Sequence, residues 1–384
     1  MKLLLFDWQG DGHHGVYMER VSEALAPCWD VVLAGPDDVL DRLSGLNVDV
    51  FPLGDARPAP EGRSHEDELI AREWSLLERA VTTSRADRVL HLYSDPLIGH
   101  LPEAPTLGIP TAITLFYPRW HYPWTYRTFL VPRDATKALL LERALSKWRS
   151  RSDSLAVFSL DEAAVTRWNR GSGAPAFWFP EPPVPQISHV ETAERKGCVL
   201  YGALAPRKGV DRLAVALAHD SGGLHAVLAG SVEPGYVNEL DRLVDLMRAG
   251  GATVVVHGWT HHEIEGLQLL ARARCAVLPY HRHSGMSRVL VEAAAVGTPV
   301  LVHDHGLIAA LVKRHGIGIA ADCDDADAFR KAIHALCRDG TTDRYRPALR
   351  NFAARYSHDR FAAALRAPFR FDVEPATALV EAGR

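Results

Sequence analysis

Short apolar runs rich in valine, isoleucine and leucine alternate with longer amphipathic segments along nearly the whole chain, and no other feature narrows its fold as much. Parallel neighbours need a crossover of a dozen or more residues, usually a helix, so this rhythm predicts βαβ units and an α/β fold with parallel sheets. Strands are expected at 2–6, 30–34, 88–93, 111–115 and 154–158, and in a second series at 197–201, 224–229, 253–257, 274–279 and 299–302. Between the two series, Phe179-Pro-Glu-Pro-Pro-Val-Pro185 places four prolines in seven residues. Proline lacks an amide hydrogen and clashes with a preceding helical turn, so neither a helix nor a central strand continues through it. The chain is therefore expected to divide into domains at 1–182 and 183–355, with a helical tail at 356–384 that covers either domain, a return to the first being one option. A length of 384 residues suits two cores better than one.

The formal charge is -4, from 43 basic and 47 acidic side chains, which gives no bulk attraction to nucleic acid or anionic lipid. Five cysteines lie far apart without CxxC spacing, an odd number that argues against a disulfide framework or a cysteine zinc site and fits a reducing cytoplasm. The opening MKLLLFDWQG has too short an apolar run for a signal peptide. No window approaches the roughly 20 apolar residues of a membrane span. A cytoplasmic location is expected, with peripheral membrane contact not favoured. The helix expected at 134–151 carries Lys137, Arg143, Lys147, Arg149 and Arg151 beside several leucines and Trp148. Core packing with a solvated basic face is the preferred reading over a membrane surface.

The segment from Val277 to Val300 holds the densest chemistry. It reads as a buried strand, a polar loop containing Gly285, a helix stopped by Gly297, and Pro299 opening the next strand. A Ser-Gly turn feeding a helix start presents unpaired amides reinforced by the helix dipole, so an anion is expected at Ser284, Gly285, Met286 and Ser287. Glu292 lies in an otherwise apolar stretch. It either pairs with Arg288 one turn earlier on a solvated face or accepts the hydroxyls of a ribose. Upstream, Val199-Leu-Tyr-Gly-Ala-Leu-Ala-Pro-Arg-Lys-Gly209 is a strand, a small-residue turn and two adjacent cations before a helix. Arg207 and Lys208 there suit a diphosphate, the first as a planar fork and the second as a point charge; a solvated pair is the plain alternative.

In order, strand-Gly202-x-x-x-x-Arg207-Lys208-Gly209, Leu228-Ala-Gly-Ser231, His257-Gly-Trp-Thr260, Leu278-Pro-Tyr280 and Glu292-Ala to Gly297-Thr-Pro-Val300 resemble the donor half of GT-B glycosyltransferases. Within those, the pattern is most similar to the retaining family 4 type, the glycosyl transferases group 1, over residues 197–336. The resemblance implies two Rossmann-like domains whose parallel sheets face a cleft, and transfer of a sugar from a UDP-, GDP- or dTDP-sugar to an acceptor hydroxyl or amine, with retention. It implies no other cofactor. Arg207 and Lys208 would hold the diphosphate and stabilise it as leaving group, with Gly202 beside them; His257 and Trp259 would border the base and Glu292 would bind the ribose. Gly285, Met286 and Ser287 would offer amides. The family has a second glutamate eight residues before this one, and here that position is Ser284, so the resemblance carries the nucleotide and not the sugar. A nucleotide-sugar epimerase or phosphorylase on the same fold, or a non-catalytic binding partner, are the alternatives.

In the first domain, Gly10-Asp-Gly-His-His-Gly15 follows the first strand and loosely resembles the glycine-rich first loop of the same enzymes, with Gly12 for close backbone approach and His13 as a catalytic candidate. Its spacing also satisfies GxGxxG, but no acidic residue ends a second strand where a nicotinamide site needs one. His91, in Leu90-His-Leu-Tyr-Ser-Asp-Pro96, stands where open α/β sheets place ligands, and is either a second catalytic candidate or a core histidine. Seven aromatics from Phe116 to Phe129 (Phe116, Tyr117, Trp120, Tyr122, Trp124, Tyr126 and Phe129) could stack on a sugar or acceptor, or pack beneath a loop. No metal site is expected: the pairs His281/His283 and His303/His305 lack a third ligand nearby in sequence, and Asp322-Cys-Asp324 reads as a helix cap.

Overall fold

The computed structural model describes residues 1–10, 14–122, 132–187, 194–220, 222–258 and 263–369. The chain forms two compact units, one of Met1–Phe116, Thr136–Pro182 and the chain from His358, the other of Tyr117–Ala135 and Pro183–Ser357.

The first unit is built on seven strands: β1 (Lys2–Phe6), β2 (Asp30–Gly35), β3 (Asp49–Pro52), β4 (Arg88–His91), β5 (Thr111–Leu115), β6 (Ser154–Ser159) and β7 (Ala176–Trp178). They pair in the order β3-β2-β1-β4-β5-β6-β7. All pairings are parallel. Residues 3–6 of β1 are wholly buried, as a central strand covered on both faces by helices must be. The second unit repeats the plan with β8 (Cys198–Tyr201), β9 (His225–Ala229), β10 (Thr253–His257), β11 (Cys275–Leu278), β12 (Val300–His303) and β13 (Gly318–Ala321). Their order is β10-β9-β8-β11-β12-β13. The second core gathers Leu200, Leu213, Leu228, Val277, Leu301 and Phe329 among others.

In each sheet the strand order reverses once, beside β1 and beside β8. Such switch points leave a crevice in which open α/β sheets bind ligands. The strands expected from sequence all form, and three more join them. β3, β7 and β13 are each at a sheet edge. β3 is largely exposed and ends in Pro52, β7 is three residues long, and β13 reads Gly-Ile-Ala-Ala, so none carries the dense β-branched run of a central strand.

Among the described residues no helix is long and apolar enough to cross a membrane. The helix Pro132–Arg149 buries Ala138, Ala144, Leu145 and Trp148, and leaves Leu139 and Leu140 exposed beside Lys137 and Arg143.

The helix His358–Arg366 packs on the helix His14–Leu25 of the first unit. The Nε of Arg366 donates to the Ala24 carbonyl at 2.8 Å, and the ring of Phe361 meets that of Phe179 at 6.0 Å. Phe361 is 2% exposed. Emptying such a site costs about 3–5 kcal/mol. Phe361→Ala is therefore expected to lower the unfolding midpoint of the first unit in urea; an unchanged unfolding curve would contradict the assignment of this helix to the first core.

Candidate functional site

At the carboxyl end of β8 the chain passes Gly202, makes a 3₁₀ turn at Pro206–Lys208, and enters the helix Val210–Leu217. Gly209 joins turn to helix with φ 74°, a left-handed conformation that favours glycine. A β-carbon there would also collide with the Pro279 carbonyl oxygen at the end of β11. The two loops that flank the switch point are thus held against each other. The His281 amide donates to the Arg207 carbonyl at 2.9 Å, and the Arg212 guanidinium donates to the carbonyls of Pro279 and Tyr280 at 3.0 and 2.9 Å.

That contact sets the place of Lys208, which is 7% exposed. Its Nζ donates to the Tyr280 hydroxyl at 3.1 Å and lies 4.3 Å from the centroid of the same ring. The Tyr280 oxygen is in turn 3.4 Å from the Ser287 hydroxyl, at the start of the helix Arg288–Ala295. Lys208 makes no ion pair with a described carboxylate. A buried ammonium without a counter-ion is unfavourable, and an anion arriving beside it would relieve that cost.

Arg207 and Lys208 were expected to act together, and the turn sends them to different surroundings. Arg207 is exposed and lines a pocket of about 400 Å³ with Pro206, Asp211, Tyr236, Glu239 and His281. Within it, His281 Nε2 is 2.8 Å from Asp211 Oδ1. Burial, and then the Asp211 and Glu239 carboxylates, push the Tyr236 phenol up to about 12, so it stays a neutral donor at ordinary pH.

The loop after β11 brings Ser284, Gly285, Met286 and Ser287 to the amino end of the helix Arg288–Ala295. Ser287 is the residue before the first turn and makes no side-chain cap there, so the helix start is not closed by its own hydroxyl. The Ser284 carbonyl accepts from Leu307 N at 3.2 Å, which fixes the loop against the helix Gly306–His315. His283 Nε2 is 3.2 Å from the Met286 carbonyl. Burial, with the cations Lys208, Arg207 and Arg119 around it, pushes His283 down to about 4. The imidazole is therefore neutral at ordinary pH, chiefly because it is buried.

Glu292 is neither on a solvated face nor unpaired: Arg288 Nε meets its Oε1 at 3.1 Å with both side chains 5% exposed or less. The helix is buried almost all round, so the pair lies inside rather than outside. His257 is half-buried, with Nδ1 3.2 Å from the Gly258 carbonyl and Nε2 3.8 Å from Glu265 Oε1. Trp259 lies outside the described residues.

At the switch point of the first unit, Gly12 and His13 also lie outside the described residues. The neighbouring His14, not singled out from sequence, places Nδ1 2.8 Å from Asp7 Oδ2, and Asp7 is fully buried. A buried carboxylate holding an imidazole nitrogen fixes the orientation of the ring. The signal available in sequence was an aspartate ending the first strand and a histidine opening the next helix. His91 is 1% exposed; its Nδ1 is 2.8 Å from the Ser94 hydroxyl, and its Nε2 is 3.2 Å from Glu73 Oε1 without forming a hydrogen bond to it, which suits the core-histidine reading.

The fold also assembles groups that are distant in sequence. His303, Asp322 and Asp324 bring a ligand atom each within 4.8 Å of one another, supplying the third group that the histidine pair lacked in sequence. His303 Nδ1, however, accepts from Cys323 N at 3.1 Å and Arg212 pairs with Asp324 at 2.6 Å, so these groups already have partners. The helix Ala326–Cys337 is capped by Asp325, whose carboxylate accepts from the amides of Asp327 and Ala328, and not by Asp322 or Asp324. The cysteines are free, but Cys275 and Cys337 approach to 3.8 Å between sulfurs.

A family model of the glycosyl transferases group 1 matches residues 187–355. Among solved structures, sucrose-phosphate synthase of Thermosynechococcus elongatus is similar over 96% of this chain and 98% of its own, with 16% identity and TM-score 0.68. HepE (Alr3699) of Anabaena, solved with UDP and glucose, is similar over 96% of this chain and 98% of its own, with 16% identity and TM-score 0.66. WaaG, a glycosyltransferase involved in lipopolysaccharide biosynthesis, is similar over the same shares, with 14% identity and TM-score 0.60. At such identities the likeness is one of fold. No curated protein matches the sequence.

The position of His283 has a pH consequence. Its folded pKa of about 4 lies below the ordinary 6.5, so between those values the unfolded chain binds the proton more readily. The stability it contributes is present above about pH 6.5 and is lost as pH falls toward 4. His283→Gln is expected to flatten the acid limb of a stability–pH curve, by on the order of 1–3 kcal/mol across that window. Urea unfolding at a series of pH values measures this, and an unchanged limb would show that the ring titrates normally.

Proposed function

We propose that this chain, a GT-B glycosyltransferase whose residues 187–355 form a glycosyl transferases group 1 domain, moves a sugar from a nucleoside diphosphate sugar to an acceptor hydroxyl or amine. The observation that carries the reading is the buried Lys208 ammonium, held by Tyr280 and lacking a described acid partner at the switch point of a parallel sheet. In the reaction the bond between the sugar and the diphosphate breaks, and the leaving diphosphate gains charge. Lys208 is positioned to receive that charge, along with the amides of Gly285, Met286 and Ser287 before the helix Arg288–Ala295. A positive centre fixed in place before the reaction needs no reorganisation as charge develops.

The remaining assignments follow the same logic. Gly202 leaves room beside the Lys208 ammonium, since a β-carbon there would lie 3.1 Å from Nζ. Glu292, pinned by Arg288, is assigned to the ribose hydroxyls, and the chain after His257 to the base. Arg207 is assigned to the outer end of the diphosphate, a weaker role than that of Lys208 because it is exposed and screened. UDP, GDP and dTDP are the nucleotides considered, UDP being the one found in HepE. The family 4 type and retention of configuration belong to the same proposal.

Thermal unfolding with UDP, GDP, dTDP and ADP, and then with their sugars, tests the donor site. A ligand at a hundred times its dissociation constant adds about 2.7 kcal/mol, enough for a measurable rise in Tm. Lys208→Met is expected to abolish that rise while leaving the unliganded Tm equal or higher, because it removes an uncompensated charge from the interior. A protein indifferent to every nucleotide, or a Lys208→Met variant that binds as the wild type does, would refute the assignment.

A further inference from the structure

Residues 117–122 follow β5 in the chain yet group with the second unit. Two tyrosines fasten them there. The ring of Tyr117 lies flush on Gly285, where any β-carbon would collide with it, and the Tyr122 hydroxyl fills the corresponding place at Gly306. Tyr122 also accepts a hydrogen bond from Leu307 N at 3.1 Å, and its ring lies 5.6 Å from that of His305. Leu307 N also binds Ser284, so the strap and the loop share an anchor.

Arg119 sits between these tyrosines. Its amide donates to the Tyr117 carbonyl at 2.6 Å and its guanidinium lies 5.8 Å from the centroid of the Tyr117 ring, the same ring that abuts Gly285. The side chain is exposed and meets no described carboxylate, so the aromatic face is its only described side-chain partner. We propose that Arg119 is a ligand for an oxyanion of the donor, carried to the Ser284–Gly285 loop by the aromatic strap at residues 117–122. This rests on the donor reading above and extends it, because the cation comes from outside the matched segment 187–355. Arg119 lies close enough to His283 to add, after burial and Lys208 and as the smallest of the causes, to holding that ring neutral. A planar guanidinium offers a fork of donors that suits a phosphate or carboxylate, and a ring face within about 6 Å favours the cation near it.

Two sources supply such an oxyanion: the diphosphate itself, or an acidic group on the sugar it carries. Calorimetric titration with inorganic pyrophosphate needs no knowledge of base, sugar or acceptor. Arg119→Ala is expected to weaken pyrophosphate about fivefold or more and to lessen the salt dependence of binding, Arg119→Lys to recover part of the loss, and Arg344→Ala, an exposed control on the helix Thr341–Ala353, to change neither. A loss confined to UDP-glucuronate, with pyrophosphate and UDP-glucose unaffected, supports the proposal and places the oxyanion on the sugar. Undiminished binding of all three by Arg119→Ala, while Lys208→Ala loses them, overturns the role of Arg119 and leaves the donor reading standing. Failure of the wild-type protein to bind any of them overturns both.

Discussion

The second unit depends on one close approach: the backbone of Gly209 against the carbonyl of Pro279. Hydrogen bonding alone would leave the loops after β8 and β11 free to separate, since a parallel sheet ends where its ladder ends. With no side chain at 209 the two loops touch, and Arg212 and His281 lock the contact from both sides. The ammonium of Lys208 is thereby delivered to Tyr280 and the helix start beyond it. Each later element of the site inherits its position from this contact.

The same packing explains how a cation can be buried without a carboxylate. Tyr280 offers both a hydroxyl and the negative face of its ring, enough to hold an ammonium in place but not enough to neutralise it. A carboxylate in that position would close the site with an internal salt bridge. The Arg288–Glu292 pair shows the contrast within one helix: there the charges cancel, and the helix is buried with them.

The central strands of both sheets could be read from the sequence because a strand covered on both faces must be apolar throughout, whereas β3, β7 and β13 escaped notice because edge strands need not be. Lys208 and the loop at 284–287 were legible because local sequence builds them: a strand end, a glycine and a helix start. What local sequence cannot show is direction and company. Nothing in Arg207-Lys208 says that a 3₁₀ turn sends the two side chains to different surroundings, and nothing near Glu292 says whether its helix lies inside or out. His91 stands at the right strand end but faces Glu73, whose helix lies elsewhere in sequence. Likewise, the aromatic residues 116–122 announced a surface for something, but Arg119 takes its interest from Gly285, which is far along the chain.

The first unit draws on the helix His358–Arg366 to complete its packing around Phe179. On the ribosome, where chains emerge amino end first at about 5–20 residues per second, all of β1 to β7 is outside the tunnel on the order of ten seconds before that helix arrives. The second unit, nearly continuous in sequence, has no such wait for its main sheet. The apolar wall over Phe158 and Phe179 thus stays uncovered during much of synthesis, and a nascent chain stalled in that interval offers chaperones, or its neighbours on a polysome, an adhesive surface that the finished protein never shows.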